Sequence, residues 1–518
     1  MRARTRTGLG VLAAGVASVL LAGTASAAPA PGAPGVGDSY YPNAGNGGTD
    51  VLHYDIRLTY QPATDLLSGT TTLLLTATQD LSRFDLDFAL KASSVRVNNR
   101  PAQFTNQTGN GELVVTPAQP LLKGQTATVV VAYADTPSTE TVDGINAWKK
   151  GTFGALGIDE PQSSAWWFPA NDHPTDKATY DVSIEAPDDN AAISNGTLVR
   201  KTKQRAGWTR WQWRSTKPQA TYLTSFIVGK YEVVESTTPD GKPFISAYGA
   251  DLGDSLYAAK ASVERTPEID EFLATQFGPY PFEAEGGVVT SGIGFSLENQ
   301  TRPTYGVRNF RAGSNTTLIA HENAHQWFGD NVSLGRWSDI WLNEGFASYA
   351  EWLWSEHEGE GTVAELAQYT YDSNAADADL WKLVPADPGA DNQFDNAVYD
   401  RGALTLQALR TAVGDAAFFK ILQAWQVQKG GSDGRILEFI ALAEKISGKP
   451  LHELFQTWLY TAGKPAVGPN GAAAVSRSAA APSAAAASVP ASVPASVKPR
   501  SFDQIQANHR FLAAEHAG

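Results

Sequence analysis

The chain has 518 residues, 42% of them apolar and 18% charged, which suits a globular protein with a sizeable core and room for two or three domains. A formal charge of −14 argues against a nucleic-acid partner, which needs clustered Lys and Arg. With no cysteine there is neither a disulfide framework nor a thiolate, so any metal must be held by His, Asp or Glu.

The first residues carry Arg2, Arg4 and Arg6, an apolar run from Leu9 to Ala22, and a small-residue site at Ala25-Ser26-Ala27. This pattern predicts a signal peptide over 1–27, because the run is broken by glycine and shorter than the roughly 20 residues of a spanning helix. The mature chain is therefore expected to be secreted and extracellular, without a membrane partner. From about 40 to 245 the runs VLHYDIRLTY, GTTTLLLTAT, RFDLDF, SVRVNN, ELVVT and TATVVVAY are short and β-rich, which predicts an N-terminal antiparallel β domain. Helical spacing begins in SLYAAKASVERTPEIDEFLATQF, ends on Gly278, and dominates a second domain over 246–465. The expected fold class is α+β.

Two predicted helices matter most. Ser314 is positioned to cap one running through TTLIAHENAHQWF to Gly329, and Ser338 to cap another through DIWLNEGFASYAEWLWSE. Further helical segments follow in YDRGALTLQALRTAV, DAAFFKILQAWQVQ, GRILEFIALAEKI and LHELFQTWLY. Beyond Pro465 an Ala/Pro/Ser-rich tract is expected to be disordered over 466–500. It opens a tail, 466–518, whose last stretch has the pattern of a short amphipathic helix with no evident chemistry.

The stretch HENAHQWFGD holds His321 and His325 four residues apart, so on a helix both imidazoles face one point. Glu322 projects about 100° around the axis, beside that point, which suits a base acting on water more than a metal ligand. A catalytic zinc needs a third protein ligand and an open position. Glu344, with eighteen residues between it and His325, is the candidate in the second helix, giving one Zn2+ per chain. The pair His452-Glu453 has no second histidine and reads as a helix-surface feature. His53, His173, His357, His509 and His516 read as structural or solvated.

HENAH followed by WLNEGFASYAE resembles the aminopeptidase N family of zinc metallopeptidases, gluzincins with an HExxH-x18-E signature, over roughly 45–464. The resemblance implies a thermolysin-like, mainly helical catalytic domain behind the β domain, and peptide substrates with a free N-terminus. The family's amine-binding glutamate lies in a GxMEN motif. Here Phe295-Ser296-Leu297-Glu298-Asn299 occupies that place, 23 residues before His321, so the resemblance carries amine binding to Glu298, with Asn299 beside it. A second amine ligand lies eight residues before the aromatic of an FPxxDxP-like stretch, which is Glu160 before Phe168, with Gln162 as a nearby substitute. The family's oxyanion-binding tyrosine sits in a YxKGA-like segment, matched by Tyr399-Asp400-Arg401-Gly402-Ala403 with Arg for Lys. The implied function is a secreted zinc aminopeptidase using metal-activated water. A thermolysin-like endopeptidase and a non-catalytic binding protein that keeps the fold are the alternatives.

Overall fold

A computed structural model describes residue 1 and residues 28–152, 154–471 and 496–515. The predicted signal peptide, His516 and most of the low-complexity tract lie outside the described residues. Among the described residues no helix is long and apolar enough to cross a membrane.

The N-terminal half is built on an eight-stranded sheet. In chain order its strands are β1 (Thr49–Gln61), β2 (Leu66–Ala77), β3 (Ala92–Val97), β4 (Arg100–Pro101), β5 (Thr126–Asp135), β6 (Ala178–Pro187), β7 (Thr197–Lys203) and β8 (Trp208–Gln219). They lie side by side as β7-β8-β6-β1-β2-β5-β3-β4. Strand β1 shows why the sequence folds this way. Tyr54, Ile56, Leu58 and Tyr60 alternate inward, while Thr49 and Val51 are buried in the opposite phase. A register shift against β2 between Val51 and His53 switches the phase, as a bulge does. The sheet departs from the all-antiparallel expectation, because β6 runs parallel to β1. That pairing needs the long crossover between residues 61 and 178, which short-range patterning does not encode.

The C-terminal half opens with a second sheet, of five strands: β9 (Tyr231–Thr237), β10 (Pro243–Gly249), β11 (Glu285–Thr290), β12 (Ser296–Leu297) and β13 (Thr304–Gly306), in the order β9-β10-β11-β13-β12. Residue 245 falls inside β10, so this sheet runs across the expected boundary. Strand-like sequence alone does not say which sheet a strand will join.

The SLYAAKASVERTPEIDEFLATQF segment is helical, as its spacing predicts, and forms two helices, Leu256–Val263 and Thr266–Phe277. Pro267 has no N–H to continue the first helix but fits the opening turn of the second. Gly278 ends it with φ of 102°, as predicted. Two helices carry the central motifs, α1 (Thr316–Ala324) and α2 (Trp341–His357), and they pack on each other. Asn315, not Ser314, caps α1, its side chain accepting from the Leu318 N–H. Ser338 caps nothing: it sits inside a 3-10 turn, Trp337–Asp339, that leads straight into α2. Behind them stands α3 (Gly402–Val413).

The tail also differs from expectation. Residues 466–471 pack on the domain, with Asn470 bonded to Gln407 and to the Ala364 carbonyl. The helix expected near the end of the tail forms as α4 (Phe502–Glu515), and it packs against α1.

A candidate metal centre flanked by buried acids

Helix α1 is buried on every side from Thr317 to Ala324, so its histidines lie inside the protein. His321 and His325 turn their Nε2 atoms to Glu344 Oε2, at 3.3 and 3.6 Å. Their other nitrogens are tied down, His321 Nδ1 to Glu351 Oε1 at 2.7 Å and His325 Nδ1 to the Phe328 carbonyl at 3.0 Å. A carbonyl or carboxylate only accepts, so each Nδ1 carries the proton and each Nε2 lone pair faces the common point. Glu351 lies two turns beyond Glu344 on α2, so one helix supplies both a candidate ligand and the brace for another.

This donor set fits a tetrahedral divalent metal. Bonds of about 2.0–2.2 Å in a tetrahedron hold ligand atoms about 3.3–3.6 Å apart, the spacing found here. The charges fit as well. Burial disfavours a protonated His325, yet the surrounding acids Glu344, Glu298 and Glu322 outweigh it and raise its pKa well above the usual value. Burial likewise pushes Glu344 up, and the facing imidazoles outweigh it and hold its carboxyl below the ordinary range. The pocket favours positive charge at this point, which a bound cation would supply without protonating its ligands.

Glu322 stands beside the donors with Oε1 buried and without a hydrogen-bond partner, and burial pushes its pKa up to about 8. Glu298 follows β12 and accepts from the Tyr222 hydroxyl at 3.3 Å. Its backbone carbonyl is held by Gln326 Nε2, one residue past His325, which locks the strand to the metal helix. Glu160 comes from the N-terminal half, 6% exposed, with Oε1 unpartnered. Burial raises its pKa well above the usual value, and Glu298 and Glu344 raise it further. Five carboxyl groups, those of Glu344, Glu351, Glu322, Glu298 and Glu160, thus surround two imidazoles. Asn299 differs from the acids: its side chain accepts from Thr304 Oγ1 and donates to the Leu223 carbonyl, so it secures the strand end.

Tyr399 lies in a π-helical turn, Ala397–Arg401, ahead of α3, its ring stacked on His321 with centroids 6.0 Å apart. Such turns cluster at functional sites because they re-aim side chains. Arg401, the departure from lysine, spans the interior. Its guanidinium donates to the carbonyls of Trp381, Leu383, Thr457, Trp458 and Thr461, fixing the turn from behind.

Sequence reasoning assigned no role to Glu351 or Asp400, and it read His509 only as structural or solvated. His509, on α4, is fully buried, with Nε2 2.7 Å from Glu351 Oε1 and Nδ1 2.9 Å from Asp400 Oδ1. The seven-residue step from Glu344 to Glu351 could have been read from the sequence. Nothing local connects His509 to a partner 158 positions away.

An HExxH helix, a glutamate from the next helix and a thermolysin-like order of elements define a metallopeptidase-type catalytic domain. Residues 306–458 match the Peptidase family M1 domain, and residues 51–223 match the Peptidase M1 N-terminal domain. The M1 zinc metallopeptidase of Deinococcus radiodurans superposes with a TM-score of 0.74 at 30% identity, over 82% of this chain and 96% of that one. A point mutant of that type from the same organism, bound to a Tyr-Ser-Ala substrate, gives 0.74 at 30% over 82% and 97%. Human glutamyl aminopeptidase is 29% identical over 331 residues, 60% of this chain and 34% of that protein. Human endoplasmic reticulum aminopeptidase 1 is 29% identical over 406 residues, 71% of this chain and 42% of that protein. The chain belongs to peptidase family M1, and it spans about a third to two fifths of the length of these curated relatives.

Proposed function

We propose that the chain is a secreted zinc aminopeptidase that removes the N-terminal residue of peptides. The observation that carries this reading is the pair of buried acids, Glu298 and Glu160, turned toward the metal donors with one Glu160 oxygen unpartnered. Buried carboxyls without a cation are costly, and an α-ammonium relieves that cost through charge-assisted hydrogen bonds. A peptide with a blocked amine leaves both acids unsatisfied and is rejected. Zinc held by His321, His325 and Glu344 supplies Lewis acidity toward water and the scissile carbonyl. Glu322 takes the proton from the attacking water and delivers it to the leaving amine. Tyr399 donates a hydrogen bond to the oxygen that gains charge as the carbonyl becomes tetrahedral. The substrate-bound Deinococcus structure supports peptides as the substrate class. The basic, apolar, small-residue pattern of residues 1–27 supports export.

The test compares a free-amine aminoacyl amide with its N-acetylated form, with and without chelator. Cleavage of the free amine alone, lost with chelator and restored by zinc, is expected. Equal cleavage of both forms would replace this reading with an endopeptidase. No hydrolysis by the zinc-loaded protein would leave a non-catalytic binding protein.

A further inference from the structure

The C-terminal helix α4 lies beyond residues 306–458, which match the family's catalytic domain, yet it touches both halves of the candidate catalytic machinery. His509 stands between Glu351, which orients His321, and Asp400, which follows Tyr399 in the chain. Its ring centroid lies 5.4 Å from that of Tyr399 and 6.1 Å from that of His321. The neighbouring residue reinforces the contact. Asn508 donates to Thr317 Oγ1 at 3.1 Å and accepts from Asn315 Nδ2 at 2.8 Å, so α4 also grips the cap of the metal helix. Gln506 Nε2 adds a bond to each oxygen of Asp400, at 2.9 and 3.0 Å.

Both nitrogens of His509 face carboxylate oxygens, which calls for a doubly protonated ring donating in two directions. Burial lowers its basicity, and Glu351 and Asp400 outweigh that and raise its pKa to about 10. Glu351 Oε1 then accepts from His321 Nδ1 and His509 Nε2 together, which fixes the carboxylate in a single orientation.

From this relay, which rests on the zinc reading above, we infer that His509 is a positioning residue for the metal centre: α4 holds Glu351 so that His321 presents Nε2 to zinc, and holds Asp400 so that the Tyr399 turn keeps its place. Groups that orient a histidine ligand typically change metal affinity by about 10- to 100-fold when removed. The effect should follow the donor at the Nε2 position more than the bulk of the ring.

The experiment uses the full chain. Zinc affinity is measured by competition with a chromogenic chelator for wild type, His509→Phe and His509→Gln, alongside thermal unfolding of each metal-free protein. The Phe variant keeps a ring without donors, and zinc binding should weaken about 10- to 100-fold. A glutamine amide reaches the Nε2 position and can donate to Glu351, so the Gln variant should stay much closer to wild type. Where the Phe variant does not fold, His509→Asn replaces it, since its shorter amide serves Asp400 but falls short of Glu351. Equal zinc affinity in all variants would overturn the inference. Equal weakening in Phe or Asn and in Gln, tracking the stability of the metal-free protein, would reduce His509 to a packing residue and overturn it as well. A wild-type protein that binds no zinc would instead sink the zinc reading, and this inference with it.

Discussion

Gly402→Ala tests how closely α2 and α3 must approach. A Cβ on Gly402 would lie 2.9 Å from Gly345 Cα and 2.7 Å from Trp341 Cδ1. Carbon atoms pack at about 3.5–4.0 Å, so the two backbones would have to part by about 0.6–1.1 Å. Trp341 cannot simply turn aside, because it is fully buried. Overpacking of this kind costs about 1–3 kcal/mol. Replacing a helical glycine returns about 0.5–1 kcal/mol, leaving a net loss of about 0–2.5 kcal/mol. Activity should suffer more than stability. Gly345 adjoins Glu344 and Gly402 lies three residues after Tyr399, and a displacement near 1 Å in a catalytic array can cost about 10²-fold. Steady-state kinetics on a free-amine substrate should show kcat reduced about 10- to 100-fold, while thermal unfolding shows a drop of a few degrees at most. A folded, zinc-loaded variant with wild-type kcat would refute the claim that this approach sets the catalytic geometry.

Glu322→Gln should keep stoichiometric zinc, read by metal analysis, and lose about 10²–10⁴ in kcat, the range expected for a general acid–base group; wild-type turnover would remove Glu322 from the mechanism. Tyr399→Phe should lower kcat by about 10²–10³ with little change in zinc affinity, and an effect confined to KM would assign the hydroxyl to ground-state binding instead. Asp38 offers a test by pH. Burial raises its pKa, but His173 and the backbone N–H groups of Trp337, Tyr40 and Tyr41 outweigh that and hold it at about 2. Since the folded value lies below the unfolded value of about 3.9, its stabilisation is complete above pH 4 and fades as pH falls toward 2. Urea unfolding of wild type and Asp38→Asn should therefore converge over that window, and a constant difference between them would show that Asp38 is not the titrating group.

The metal centre was legible because its information is local. Four residues on one helix put His321 and His325 on one face, and a fixed step to a second helix supplies Glu344. The acids Glu298 and Glu160 became legible only through family motifs, since neither SLEN nor GIDEPQ has a periodicity that demands a site. What escaped the sequence was non-local. Tyr231–Thr237 reads as a strand in any sheet, and only pairing with Pro243–Gly249 places it in the five-stranded sheet. Ser338 has the chemistry of a cap, but the 3-10 turn that carries it leaves its side chain no helix to cap. His509 has no local signal at all, because its partners come from α2 and the Tyr399 turn after a low-complexity tract that gives no hint of the chain's return.

The acids from two domains also require a rigid joint. In the aminopeptidase reading proposed above, one residue is measured from the ammonium to the scissile bond, and active-site groups must hold within about 0.5 Å to do so. Domain interfaces within a chain are mobile by default unless they are tightly packed. Here the joint is closed by buried polar clamps. Arg302 donates from the catalytic half to the carbonyls of Ser194 and Gly196, and Asn195 Nδ2 returns a bond to the Gln300 carbonyl at 2.8 Å. Lys177 Nζ holds the Asp330 and Asn331 carbonyls, in the turn that follows His325. One set of clamps lies in the segment just after Glu298, and the other in the turn that follows His325. Opening them would break several buried hydrogen bonds at once, so the joint that places Glu160 near the metal donors is held by polar contacts as well as by packing.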